Sequence, residues 1–183
     1  MTDPEATTPA RHDAKDWTVV ISDGCAECGF DADFERAGTG AFLRASIERL
    51  AGALRRDDLR PDDLRRRPAL GIWSPLEYAG HILGVAEVFT ARVERMLTED
   101  DPVFADWDGE AAAVADNYNG QDPAEVARRF AAVAARAADR YDTVAPDQWD
   151  RPARRSDGMV FTLATFTAYF RHEIEHHLHD LGA

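Results

Sequence analysis

From about Gly40 onward, apolar residues recur at intervals of three and four. Phe42, Leu43, Ile47, Leu50, Ala51 and Leu54 share one face, which predicts a first amphipathic helix. A second stripe runs through Ala79, Ile82, Leu83, Ala86, Phe89, Val93, Met96 and Leu97. Its start is the best-marked in the chain: Ser74 as N-cap, Pro75 at the first helical position and Glu77 three residues after the serine. Asp100-Asp101-Pro102 ends it. Asp122-Pro123 opens a third helix with Val126, Phe130, Val133, Ala137 and Tyr141 on one face, closed by Pro146. A fourth runs from about Val160 to Leu181, with Leu163, Phe166, Phe170, Ile174, His177 and Leu181 toward the core.

Between these elements the pattern lapses. Residues 57–73 carry Pro61, Pro68 and many charges and read as a connection. Residues 102–122 are a long crossover with room for a short helix, and a second connection leads from Trp149 past Gly158. The first sixteen residues lack periodicity and are expected to form a flexible tail. Residues 17–37 begin with a β-prone run, Trp17 to Ile21, then Asp23-Gly24 and CAECGFD. They are expected to form an irregular or extended N-terminal cap bearing a CxxC. Residues 38–183 then form one domain, an all-α four-helix bundle, for which no strand pattern competes.

The formal charge of −13 over 183 residues repels phosphate backbones and anionic lipid, so neither nucleic acid nor membrane is an expected partner. No run approaches the roughly 20 apolar residues of a membrane span, and the polar, acidic start is unlike a signal peptide, so a cytoplasmic location is expected. Exposed faces of bundles often pair, which allows a homodimer.

Four of the six histidines fall on the last helix: His172, His176, His177 and His179. His172 and His176, four apart, stand one turn from each other on one side and can reach the same cation. A third ligand must come from elsewhere. His81, one residue before the core position Ile82, faces inward at the bundle edge, toward the last helix if the two are neighbours. One divalent ion held by His81, His172 and His176 is the expectation, against the blander reading of hydrogen-bonded helix histidines. His177 is expected to pack in the core or behind the ligands, and His179 to face solvent.

Other motifs compete. His172-Glu173-Ile174-Glu175-His176 matches the zincin HExxH, but only seven residues follow, too few for a downstream ligand helix. A di-iron bundle needs two Glu-x-x-His units, and the second helix offers none. Cys25 and Cys28 are too few for a disulfide framework or a closed zinc site of their own. They read first as a tight turn, with a reversible disulfide or an accessory metal contact as alternatives.

WSPLEYAGHI at 73–82 and RHEIEHHLHDL at 171–181 resemble the second and last helices of the DinB/YfiT-like superfamily of metal-binding four-helix bundles, particularly its members that use mycothiol or bacillithiol. The resemblance spans about residues 38–183. It implies His81, His172 and His176 as ligands of zinc or nickel, with iron also admissible, and mycothiol as a thiol cosubstrate. CAECGFD is not part of the general family pattern.

Three nitrogen ligands leave a divalent ion with open positions, as catalytic sites require. A thiol bound as thiolate would attack a small electrophile, giving S-transfer or isomerisation. Alternatively, bound hydroxide would hydrolyse a small amide or ester. Glu173, beside a ligand, is the candidate for proton transfer in either case, and a surface carboxylate in the bland reading. The resemblance favours the thiol-dependent enzyme, with the hydrolase second. A non-catalytic metal- or small-molecule-binding protein is the third reading.

Overall fold

The computed structural model describes residues 17–56, 60 and 62–183, so the expected tail at 1–16 lies outside the described residues. Four long helices form the body: α2 (Thr39–Leu54), α3 (Pro75–Thr98), α5 (Pro123–Tyr141) and α6 (Leu163–Asp180). The short α1 (Val20–Asp23) precedes them and α4 (Gly109–Ala115) lies in the crossover. α2 packs on α5, α5 on α3, α3 on α6 and α6 back on α2, so the helices close a ring. Adjacency of α3 and α6 meets the condition under which His81 faces the last helix.

Local sequence accounts for the helix starts. Ser74 accepts from the Glu77 N–H while the Glu77 carboxylate accepts from the Ser74 N–H at 2.8 Å, a complete capping box. Glu77 is only 3% exposed, and Arg67 offsets its burial with a forked pair of hydrogen bonds. Thr162 opens α6 with a capping box to Thr165, and Asp122 caps α5 by accepting from the Glu125 N–H. At the far end of α3, Arg151 donates to the carbonyls of Met96 and Glu99, satisfying acceptors that the helix end leaves open.

Two expectations change. Trp17–Ile21 is not extended: Trp17–Val19 is a 3₁₀ turn that runs into α1, which packs on α6. Docking of Val20, 1% exposed, overrides the β-prone composition. The body also contains a small sheet. β1 (Val103–Phe104) pairs parallel with β2 (Pro152–Arg155), which pairs antiparallel with β3 (Val160–Thr162), so α6 begins at Leu163 and not at Val160. These strands have two to four residues, too few for alternation to register. They turn Phe104, Ala153 and Phe161 inward and carry Arg155 to the interior. Among the described residues, no helix is long and apolar enough to cross a membrane.

Phe89, Phe130, Phe166, Phe170, Leu43, Ile82 and Ile174 fill the centre. On the α3 flank, Gly80 lets the Tyr118 ring lie flat on the helix, where an added Cβ would come within 2.8 Å of Tyr118 Cβ and Cγ. Gly52 on α2 has open space. Both glycines gain about 1 kcal/mol of helix propensity on replacement by alanine. Overpacking costs about 1–3 kcal/mol, so urea unfolding should show Gly52→Ala stabilised and Gly80→Ala neutral to destabilised by about 2 kcal/mol.

Candidate metal centre

The α3–α6 seam opens on a cavity of about 810 Å³ whose walls include His81, Trp73, Tyr78, Trp107, Tyr169 and Arg92. Here His81, Glu173 and His177 each bring one ligand atom within 4.8 Å of the others. His81 and His177 meet edge to face, ring centroids 4.6 Å apart, and Glu173 Oε2 lies 3.9 Å from His81 Nε2. His172 and His176 group with Cys25 and Cys28, again within 4.8 Å of one another, although both also line the cavity and His176 forms a third group with His177 and Asp180. The structure therefore divides the three expected ligands between two clusters. Glu173, expected to move protons, sits in the first with its side chain 12% exposed; His177, expected to pack behind, sits beside it. His179 is exposed.

Two donors of the first cluster, Glu173 and His177, are in the state a cation needs. Burial opposes ionisation of Glu173, yet the imidazoles of His172 and His81 outweigh it and hold the carboxyl well below its usual range. Burial, reinforced by His81, depresses His177 and keeps its ring neutral. His177 Nδ1 stands 2.9 Å from Asp180 Oδ2, so an N–H donated there fixes the ring and leaves Nε2 free as a ligand. His81 Nδ1 is buried without a hydrogen-bond partner. Trp73 and Trp107 flank the His81 ring at 5.0 and 5.5 Å. Gly109 is what admits the crossover, since a Cβ there would lie 2.6 Å from His81 Cε1.

The cavity has a second pole. Arg92 is 8% exposed, donates to the Ala105 carbonyl and lies over the rings of Phe89 and Phe104. Among the described residues, no carboxylate comes within 4.0 Å of its guanidinium. Burial, then the nearby Arg155, pushes its pKa down. Arg155 pairs with Asp157 at 2.6 Å. Nothing in the sequence marked Arg92, which falls in the middle of an otherwise ordinary helical stripe.

A helical bundle with a histidine-rich, carboxylate-containing pocket between two neighbouring helices is the class of protein these features define. The chain belongs to the DinB superfamily, whose family model matches residues 41–182. Among solved structures it is similar to YfiT from Bacillus subtilis, described as a probable metal-dependent hydrolase with an unusual four-helix bundle topology. That match has a TM-score of 0.71 and 17% identity, covering 84% of this chain and 89% of that one. No curated protein matches the chain. The matched region leaves out the Cys25–Cys28 segment.

Removing the support behind a ligand typically costs about 10- to 100-fold in affinity. Asp180→Asn is accordingly expected to weaken divalent-ion binding at the cavity by that factor, read by competition titration against a chromophoric chelator.

Proposed function

We propose that this protein is a metal-dependent hydrolase of a small ester or amide that carries an anionic group. The observation that supports this most is the convergence of His81, Glu173 and His177 in a cavity whose other pole is an uncompensated buried arginine. Two imidazoles and one carboxylate suit a first-row divalent ion, zinc, nickel or iron among them, and leave it with open positions. An ion bound there supplies Lewis acidity and a water deprotonated near neutral pH.

The chain's own residues do the rest. Glu173 stays ionised and His177 neutral, so neither loses its ligand lone pair to a proton near pH 7. Asp180 fixes the His177 tautomer. Trp73 and Trp107 limit water around His81. Arg92, held by Ala105 and two aromatic rings, offers its charge to a substrate anion; its neighbour Arg155 is already committed to Asp157. The description of YfiT as a probable metal-dependent hydrolase agrees with this reading. Thiol transfer to an electrophile, with mycothiol as cosubstrate, uses the same open position. It is the outcome to which the assay must remain open.

The test is a panel of small anionic esters and amides with metal-reconstituted protein, each repeated with a low-molecular-weight thiol and an electrophile. Thiol-independent hydrolysis is expected, reduced by about 10²- to 10³-fold in His81→Ala and Glu173→Gln, the scale of removing a group that stabilises charge in the transition state. Arg92→Met should raise KM for anionic substrates by about 10-fold or more and leave neutral analogues little changed, because a charge-assisted hydrogen bond is worth about 1.5–3 kcal/mol. Turnover only when thiol is present would replace hydrolysis with transfer. Ion binding with no turnover on any substrate would leave a binding protein.

A further inference from the structure

The N-terminal segment adds chemistry that this reading does not use. Cys25 is buried and Cys28 half-buried, both as free thiols. The chain bends sharply between them and Phe30: the Gly29 N–H bonds the Cys25 carbonyl at 2.8 Å, and the Cys25 N–H bonds the Phe30 carbonyl at 2.9 Å. Gly29 takes φ +76°, a value that favours glycine.

The knuckle closes on α6. Cys25 Sγ lies 3.6 Å from His176 Nδ1, and His172, 1% exposed, has both ring nitrogens buried with no hydrogen-bond partner. Two orphaned nitrogens on one buried imidazole are costly unless something binds them. Trp17 stacks on His172 at 5.3 Å and meets His176 edge-on at 4.8 Å, while Phe30 closes the other side of His172. The four donors face one another between these rings, with the carboxylates of Glu173, Glu27 and Asp180 at 3.7–3.9 Å from the imidazoles.

We infer that Cys25, Cys28, His172 and His176 form a closed Cys₂His₂ zinc site, separate from the cavity centre, that clamps the N-terminal cap to α6. The Cys-x₂-Cys and His-x₃-His spacings are those of structural zinc ligands. Around a tetrahedral ion with Zn–S near ~2.3 Å and Zn–N near ~2.0 Å, ligand atoms stand roughly 3.3–3.8 Å apart. The observed set, within 4.8 Å, needs only small side-chain adjustment to reach that. Four protein ligands leave no open position, so the site is structural, and binding displaces the protons of both thiols. A Cys25–Cys28 disulfide is the competing fate of the pair. It would leave His172 with the Glu173 carboxylate, 3.7 Å from Nδ1, in place of a metal ion.

The test is metal stoichiometry by plasma mass spectrometry on reduced, full-length protein reconstituted with zinc, with X-ray absorption to report ligands. Two ions per chain are expected. Cys28→Ser should retain one, and His81→Ala should retain one whose shell holds two sulfurs at about 2.3 Å and two nitrogens at about 2.0 Å. Because substitution can disturb folding, wild type titrated with cobalt(II) provides a second reading: thiolate-to-metal charge-transfer absorption at tetrahedral intensity. One ion per chain lost in both variants would mean a single shared centre and overturn the inference. So would a sulfur-free shell in His81→Ala, or no charge-transfer band in wild type. Failure of hydrolysis with two ions retained would count against the proposed activity alone.

Discussion

Positions 172, 173, 176 and 177 are two i, i+4 pairs offset by one residue, and on an α-helix that offset turns one pair about 100° from the other. With α6 packed between α3 and the N-terminal knuckle, 173 and 177 meet His81, and 172 and 176 meet the cysteines. The architecture of the site depends on this packing. Had α3 and α6 not been neighbours in the ring, His81 would face apolar side chains. Had α1 not docked on α6, the two thiols would not stand beside His172 and His176.

Burying so many polar groups on one helix is costly, and the surrounding structure shows how the cost is offset. Asp180 accounts for His177, and the forked Arg49–Glu175 pair, at 2.6 and 2.9 Å, secures the outer side of α6 to α2. Arg171 spreads its guanidinium over Phe34 and Phe42 at 4.0 and 4.5 Å, joining the cap to α2 through an apolar contact. Three imidazole nitrogens of His81 and His172 remain buried without hydrogen-bond partners, as do atoms away from the histidines such as Thr90 Oγ1 and Arg171 Nε. Buried polar atoms without partners are rare in native proteins, and the three imidazole nitrogens lie where a cation would satisfy them.

The bundle was legible because its helices are long and strongly periodic: α2, α3 and α5 begin within a residue or two of where spacing and capping residues put them. The small sheet was not, although Asp157-Gly158 in the Arg155–Met159 turn is a hairpin signal that could have pointed to it. For the site, the sequence indicated which two helices carry the chemistry. It left undetermined how the ligands are shared, since Glu173/His177 and His172/His176 obey the same spacing rule. Choosing between them required knowing that residue 25 lies against residue 176, a contact across 151 positions that no local pattern encodes. The Cys-x₂-Cys and His-x₃-His halves were both visible, but only the fold places them together.

Trp17 sits at the boundary of both clusters, stacked on His172, edge-on to His176 and forming part of the cavity wall. An indole in van der Waals contact with imidazoles is quenched by their protonated form. Of the four tryptophans, Trp17 is therefore the indole whose emission a cation on His172 and His176 would alter. The same ring lines the open cavity, so the two halves of α6 share one optically visible partition.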